Sequence, residues 1–415
     1  MNSAVAALIG LLVAILLIIR KIPPVFSLFL GALVGGLLSG WGMQTTVSEM
    51  ISGVKDITPA IVRILAAGVL SGMLVVTGAA ESIALAIVKG LGERRIYLAL
   101  AVSAMILTAI GVFIDVAVIT IAPIALMIGS RLDARQSKLL LAMIGGGKCG
   151  NIISPNPNTI IAAENFGAPL QSVMLQNLLP AIAGLLVTVL LIIPLIPEKR
   201  QKNAQAATDD SGKDIPSFLA SIAGPLLAVA LLALRPLFGI VIDPLVALPA
   251  GGIFGLITTR RWKQTFASLE YGLGKMSGVA VLLVGTGTIA GIIKASAIKD
   301  VLVGALAGWS GGALLLAPLA GVLMCAATAS TTAGATIASA SFSDAILSSG
   351  ISGVSGASMV NAGATVLDHL PHGSFFHATG GCVGMGVGER MKLIPYECLI
   401  GLTLTAFSVL MTVVL

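Results

Sequence analysis

The chain has 415 residues, of which 57% are hydrophobic and 10% are charged, whereas an ordinary soluble domain carries about 25% charged residues. This composition excludes a soluble protein, and the lack of segments with alternating polarity argues against an outer-membrane barrel. The net charge of +6 lies in short loops, which is typical of charges that set membrane topology and gives no support to a nucleic-acid partner. We therefore predict an all-α polytopic protein that crosses the cytoplasmic membrane several times, surrounded by lipid.

The first apolar segments are Ser3 to Ile19 and Pro24 to Ser39. Trp41 to Lys55 is amphipathic and is expected at an interface, whereas Ile57 to Ala80 is long enough to span the membrane. Arg63 in this span would be costly against lipid, so it should face protein or lie near an end.

The next apolar run, Ile96 to Ile128, is interrupted by Gly111 and Asp115. After a charged loop follows a run of glycine, proline, amide and hydroxyl residues, which predicts an unwound loop at residues 145–160. Non-helical backbone is tolerated at membrane depth only where it is buried in protein or lines a cavity. A broken helix of this kind is also a sequence-level indication of a transporter's binding site.

The second half repeats the order of the first. Residues 198–216 form a polar linker, which separates a first membrane repeat (1–197) from a second one (217–415). At a shift of about 219, Gly53, Gly68 and Gly72 fall on Gly272, Gly287 and Gly291. We predict inverted repeats with a hairpin and an unwound loop each: hairpins near 111–138 and 321–347, and unwound loops at 145–160 and 359–373.

Amides, hydroxyls and free backbone N–H groups in these four interruptions suit a substrate with carboxylate and hydroxyl groups. For the hydroxyls near Thr328, the alternative is a bond back to a helix carbonyl. For Asn151 and Asn361, the alternative is capping of a half-helix. The candidate substrate-binding residues are Asn151, Ser154, Asn156, Asn158, Thr159, Thr328, Ser330, Thr331, Thr332, Asn361 and Thr365.

Ionisable residues in apolar sequence are candidates for proton coupling because they are costly there unless they function. These candidates are Asp115, Asp368, His369 and His372. Asp115 could instead be the structural partner of a buried cation, and the histidine cluster could be an interfacial loop or a metal site. No tight ligand set recurs elsewhere, so we predict neither a metal nor a cofactor. Lys148 is expected to pair with substrate charge, Asp115 or Glu164, and Glu164 to cap the next segment.

These residues resemble those of the ion transporter superfamily, and most closely its gluconate permease (GntP) family of organic-anion:proton symporters. Asp115 to Thr120 and Thr328 to Thr332 stand where the family has its hairpin tips. Gly150 to Asn158 resembles the first unwound loop, and Asn361 to His369 stands at the second. The resemblance implies an elevator-type transporter with a scaffold and a mobile transport domain, assembled as a homodimer.

The function expected is import of a small hydroxy-carboxylate, such as the sugar acid gluconate, together with H⁺. The alternative is Na⁺-coupled dicarboxylate transport, although the first tip lacks the Ser-Asn-Thr triplet of that branch. The four cysteines have no CxxC spacing and are expected to be reduced packing residues. An enzyme is not expected because the sequence contains neither an HExxH nor a GxSxG motif. Without a nucleotide-binding loop or a filter-like repeat, neither ATP-driven transport nor a channel is expected.

Overall fold

The computed structural model describes residues 2–92, 95–132, 134–197, 214–297, 301, 312–371 and 373–414. Most of the predicted linker, residues 198–213, lies outside these ranges. The helices of the first half are α1 (Ser3–Ile19), α2 (Pro24–Leu38), α3 (Gly42–Val76), α4 (Ala79–Leu91), α5 (Ile96–Ala109), α6 (Ile114–Arg131), α7 (Gln136–Asn151), α8 (Pro157–Asn165), α9 (Leu170–Gln176) and α10 (Leu178–Val187). Those of the second half are α11 (Phe218–Phe238), α12 (Pro244–Thr258), α13 (Thr265–Ala295), α14 (Gly312–Thr328), α15 (Thr331–Ser348), α16 (Gly353–Gly363), α17 (Ser374–Cys382), α18 (Val387–Met391) and α19 (Ile394–Val414).

Length and hydropathy agree with a multi-pass membrane protein, and the fold within the described ranges is all-helical. Six helical segments there are long and apolar enough to cross a bilayer. They are Gly42–Val76, Ile114–Arg131, Leu170–Leu195, Phe218–Arg235, Trp262–Ala295 and Val387–Val414.

The centre of the fold is an antiparallel crossing of the two longest helices, α3 and α13. Gly53 of α3 lies against Gly287 and Gly291 of α13, while Gly272 of α13 lies against Gly68 and Gly72 of α3. The backbones approach so closely that a Cβ at Gly53 would be 2.0 Å from the Gly287 carbonyl oxygen. Small residues permit such contacts between helices in lipid. The six glycines that the sequence alignment paired therefore make reciprocal contacts.

Each half also packs its first hairpin against the other half's long helix. The α1–α2 hairpin contacts α13 through α2, and the α11–α12 hairpin contacts α3 through α12. This exchange joins the two halves into one framework beside the interrupted helices.

The prediction of two separate elements, an interface segment Trp41 to Lys55 and a span Ile57 to Ala80, is wrong. They form one 35-residue helix, α3, which contains Pro59 without breaking. Arg63 in this helix faces protein, as predicted: it forms ion pairs with Asp243 at 2.8 Å and with Glu164. Glu164 is thus an ion-pair partner of Arg63, and its predicted capping role is wrong.

Both unwound loops are shorter than predicted. Gly145 to Gly150 is helical, and α7 ends only at Asn151. The glycines serve close packing instead, since a Cβ at Gly146 would be 1.9 Å from the Ala101 carbonyl oxygen of α5. The unwound segments are residues 152–156 and, in the second half, 364–371, and the hairpins turn at residues 110–113 between α5 and α6 and at 329–330 between α14 and α15.

Candidate functional site

A cavity of about 350 Å³ lies where the two hairpin turns approach the unwound segments and the middle of α13. Its charged lining residues are Asp115, Lys275 and Asp368. The remaining wall consists of hydroxyl, amide, aromatic and aliphatic groups: Phe113, Ile114, Asn151, Asn158, Gly278, Val279, Leu282, Ala329, Ser330, Thr331, Thr332, Ser374 and Phe375.

Two helices begin at this cavity, α6 after Phe113 and α15 after Ser330. The Ser330 side chain accepts a hydrogen bond from Ala333 N at 3.3 Å and caps α15. Ala329 precedes it with a φ of +47°, a conformation that side-chain-bearing residues rarely adopt. Because the N–H groups of a first helical turn lack intrahelical partners and carry the positive end of the helix dipole, both starts favour an anion in the cavity.

Amides from the two halves are bonded to one another beside the cavity. Asn158 Nδ2 donates to Asn361 Oδ1 at 3.3 Å, and Asn158 Oδ1 accepts from Thr332 Oγ1 at 3.1 Å. Asn361 Nδ2 donates to Thr159 Oγ1 at 3.1 Å. Asn361 lies inside α16, where it caps no helix of its own, but its Nδ2 lies 3.5 Å from the carbonyl oxygen of Ile152 at the end of α7. The cap of α8 is Asn156, whose side chain accepts from Thr159 N.

A buried triad lies behind the second hairpin turn. Lys148 Nζ donates to Asp368 Oδ1 and to the Thr365 carbonyl oxygen, both at 2.6 Å. The same nitrogen lies 3.0 Å from His369 Nδ1, and Thr331 Oγ1 donates to Asp368 Oδ2 at 2.7 Å. The predicted pairing of Lys148 with Asp115 or Glu164 is wrong, because the fold brings Lys148 against the second unwound segment.

A second buried ion pair adjoins this triad. Arg390 of α18 binds both carboxylate oxygens of Glu397 in α19, one of them at 3.1 Å. The Arg390 side chain also donates to Thr379 Oγ1 at 3.3 Å and lies over the Phe376 ring, 5.0 Å from its centroid. Glu397 Oε2 lies 3.7 Å from His369 Nδ1. Buried charges of both signs therefore continue from the cavity wall into the protein.

The structure brings some predicted site residues to the cavity and leaves others behind its wall. Asn151, Asn158, Ser330, Thr331, Thr332, Asp115 and Asp368 line it. Those that lie outside the lining are Ser154, Asn156, Thr159, Thr328, Asn361, Thr365 and His369. Thr328 bonds back to the Met324 carbonyl oxygen at 2.9 Å, which was its alternative role. His372 lies outside the described residues.

The sequence-based prediction of the site did not include Lys275, Arg390 and Glu397. Each is an ionisable residue beside a long apolar segment, and the rule that such residues mark function would have selected them. Lys275 Nζ lies 5.8 Å from the Tyr271 ring centroid. Asp115 makes no hydrogen bond or ion pair within the described part of the chain. It therefore has no buried cation as a structural partner there.

The remaining polar clusters do not resemble a metal site. Within the described ranges, no group of three or more histidine, cysteine or acidic residues is placed to hold a metal ion. All four cysteines are free, and two of them, Cys149 and Cys325, are buried.

Comparison with known proteins identifies the family of the chain. The family model described as GntP family permease matches residues 3–248, and one described as Na⁺-H⁺ antiporter family matches residues 220–309. An uncharacterized transporter of Haemophilus influenzae is 51% identical over 98% of this chain and 97% of its own length. A gluconate permease of Pseudomonas aeruginosa is 25% identical over 100% of this chain and 97% of its own. The D-serine transporter DsdX of Escherichia coli is 23% identical over 80% of this chain and 81% of its own.

Among solved structures, the YdaH transporter of Alcanivorax borkumensis, described as having an unusual topology, superposes with a TM-score of 0.61. It is 16% identical and matches 89% of this chain and 88% of its own, so it supports the fold alone. The family-model match covers more than half of the chain and agrees with the prediction from sequence. The chain therefore belongs to the GntP permease family, which is a family of membrane transporters and not of enzymes.

Proposed function

We propose that this protein is a secondary active transporter of the cytoplasmic membrane, which imports a small hydroxy-carboxylate by H⁺ symport. The observation that carries the proposal is the cavity between the two hairpin turns, where two helix N-termini meet a lysine and a set of amides and hydroxyls. A volume of about 350 Å³ is near the lower end of the range of roughly 300–1,000 Å³ for ligand pockets, which suits a small polar molecule.

The carboxylate of the substrate would bind at the N-termini of α6 and α15, with Lys275 as its counter-ion. Its hydroxyl groups would bind Asn151, Asn158, Ser330 and Thr332, which can both donate and accept hydrogen bonds. A gluconate-like sugar acid has this chemistry, and the similarity to gluconate permeases supports it.

Charge balance supports coupling to a proton. The charges of the ionisable side chains in the cavity and the buried network sum to zero when His369 is neutral. The three positive charges of Lys148, Lys275 and Arg390 balance the three negative charges of Asp115, Asp368 and Glu397. An anionic substrate adds one negative charge in surroundings of low dielectric constant, where unbalanced charge is costly. One proton restores neutrality. The proposed acceptors are Asp115, Asp368, His369 and His372.

A zwitterionic hydroxy amino acid is a second candidate substrate. Asp115 and Lys275 line the same cavity and form no ion pair with each other, so they could bind an amino and a carboxyl group. The similarity to a D-serine transporter agrees with this candidate. Na⁺ coupling is the alternative to H⁺, and the Na⁺-H⁺ antiporter model matches residues 220–309 only.

The proposed mechanism is an elevator movement within a homodimer. The scaffold would comprise α1–α3 and α11–α13, and the transport domain α5–α8 and α14–α17. The reciprocal glycine contacts of α3 and α13 support inverted repeats, because a twofold axis in the membrane plane sets equivalent helices antiparallel.

Uptake into proteoliposomes tests the function. We expect labelled gluconate to accumulate under an acid-outside gradient and not under an imposed Na⁺ gradient at equal pH. Competition with short hydroxy acids and with D-serine ranks the substrate classes. Accumulation under the Na⁺ gradient alone would contradict H⁺ symport, and saturable uptake of D-serine without gluconate uptake would favour the zwitterion.

Two variants test the coupling residues. Asp115→Asn and Asp368→Asn should lose gradient-driven accumulation. Asp214→Asn, at a carboxylate whose side chain is 92% exposed, serves as the control and should accumulate substrate normally. Accumulation equal to wild type in both Asp115→Asn and Asp368→Asn would rule out these two carboxylates.

A further inference from the structure

We infer that Glu397, held by Arg390, positions a negative charge that sets the proton affinity of His369. The inference rests on the proposed H⁺ symport and adds two residues to it. Glu397 touches neither the cavity nor a substrate position, so its role is one of positioning.

The Arg390–Glu397 pair is built to keep one carboxylate oxygen in place. Both side chains are almost completely buried, with relative exposures of 1% and 0%. Arg390 engages both oxygens of Glu397 and is itself fixed by Thr379 and by the Phe376 ring. A bidentate arginine fixes geometry as well as charge. A buried ion pair of this kind adds little stability on balance, whereas its fixed charge acts on the groups around it.

The hydrogen-bond partners of His369 determine which of its nitrogens carries the proton. Nε2 lies 3.2 Å from the Ile394 carbonyl oxygen, which can only accept, so Nε2 carries a hydrogen. Cys398 Sγ lies 3.5 Å from the same nitrogen. A neutral ring carries one N–H, so with the hydrogen on Nε2 the lone pair stays on Nδ1, where the Lys148 ammonium can donate to it at 3.0 Å. Asp368 Oδ1, also 3.0 Å from Nδ1, would accept once Nδ1 is protonated.

A second proton must therefore bind at Nδ1. Three charged groups face this atom: Lys148 of α7 at 3.0 Å, Asp368 of the unwound segment at 3.0 Å, and Glu397 of α19 at 3.7 Å. The positive charge of Lys148 disfavours protonation of His369, and the negative charge of the neighbouring Asp368 offsets that effect. Glu397 adds a negative charge that favours an imidazolium, and the charge of its ion-pair partner Arg390 offsets part of this effect. Without Glu397, one ammonium faces one carboxylate, and protonation of His369 becomes less favourable.

This arrangement connects the proton to the substrate. Asp368 Oδ2 accepts from Thr331, whose hydroxyl lies at the start of α15 on the cavity wall. A substrate carboxylate at this helix start adds negative charge one hydrogen bond away from Asp368 and favours the imidazolium further. Conversely, a protonated His369 favours binding of the anion. Glu397 determines the pH range in which this mutual effect operates.

The pH profile of uptake tests the inference. The pH at which wild-type uptake is half-maximal should fall by about one to three units in Glu397→Gln, as expected for loss of an opposite charge at this distance. The double variant Arg390→Gln/Glu397→Gln should shift the midpoint in the same direction but by less, because it also removes the opposing charge of Arg390, and it leaves no unpaired buried arginine. Substrate counterflow at low pH should persist in both, because exchange requires no net proton movement.

A matched control is Glu164→Gln, which removes the carboxylate of the Arg63–Glu164 ion pair away from His369 and should leave the pH midpoint unchanged. Glu397→Asp retains the charge and should shift the midpoint less than Glu397→Gln. An unshifted midpoint in a Glu397 variant that still performs counterflow would overturn the inference. Failure of the proposed function looks different, since wild-type uptake would then not respond to pH at all.

Discussion

The crossing of α3 and α13 allows the packing of this fold to be tested with one methyl group. Gly53→Ala places a Cβ 2.0 Å from the Gly287 carbonyl oxygen, whereas real Cβ atoms essentially never lie closer than 3.0 Å to a neighbour. The Gly287 carbonyl oxygen must therefore move away from α3 by about 1 Å. Because it is helix backbone, which cannot rotate away as a side chain can, the two helices must separate and lose contact along their crossing.

The expected effect follows from two opposing contributions. Alanine favours a helix over glycine by about 1 kcal/mol, and overpacking of a close contact costs about 3 kcal/mol at the upper end of its usual range. The free energy of unfolding should therefore fall by roughly 2 kcal/mol. Gly272→Ala should cost about as much, since its Cβ would lie 2.1 Å from the Gly68 carbonyl oxygen in the reciprocal contact.

The control lies two residues further along α13. A Cβ at Gly274 meets no atom within 4 Å, so Gly274→Ala should raise the free energy of unfolding by up to about 1 kcal/mol. Reversible unfolding in mixed micelles, followed by circular dichroism, measures all three variants. Equal stability of Gly53→Ala and Gly274→Ala would refute the close crossing. A large difference between Gly53→Ala and Gly272→Ala would refute the equivalence of the two contacts.

The other predictions concern the site. Lys148→Met should lower the free energy of unfolding by about 3–5 kcal/mol in the same assay, because it leaves the buried Asp368 carboxylate unpaired. Lys275→Gln should raise the half-saturating substrate concentration about tenfold, which corresponds to about 1.4 kcal/mol, without lowering stability, since this side chain is exposed. In a double-mutant cycle, Asn158→Ala and Asn361→Ala should show a coupling of about 0.5–1.5 kcal/mol because their side chains share a hydrogen bond.

The sequence predicted the fold class because composition and hydropathy depend on the membrane as solvent and not on tertiary detail. The breaks in the helices were also found, since Gly111 adopts a φ of +106° in the first hairpin turn and Pro157 begins α8. Their boundaries were not found. Gly146 indicated a loop in the sequence, but in the structure this residue is helical because it packs against α5. A local pattern cannot distinguish glycine that breaks a helix from glycine that allows two helices to touch.

The candidate site was predicted in part for a similar reason. Hydroxyl and amide residues next to a break are visible in the sequence, and seven of the predicted residues line the cavity. Which charge pairs with which depends on contacts across about 220 positions, as for Lys148 and Asp368. Sequence spacing contains no information on such pairs. Lys275 was missed because it lies inside a long helix, with no break beside it to mark a site.

The bonds that cross between the halves bear on how a transport domain could move. Lys148–Asp368 and Asn158–Asn361 tie the first unwound segment to the second, so the two segments and the cavity would shift together as one body. The Arg63–Glu164 ion pair instead joins α3 of the proposed scaffold to α8 of the proposed transport domain. Both of its side chains are about one quarter exposed, and a partly solvated pair contributes little stability. Buried bonds within the proposed moving part and a solvated bond at its boundary are the distribution that the proposed elevator movement would require.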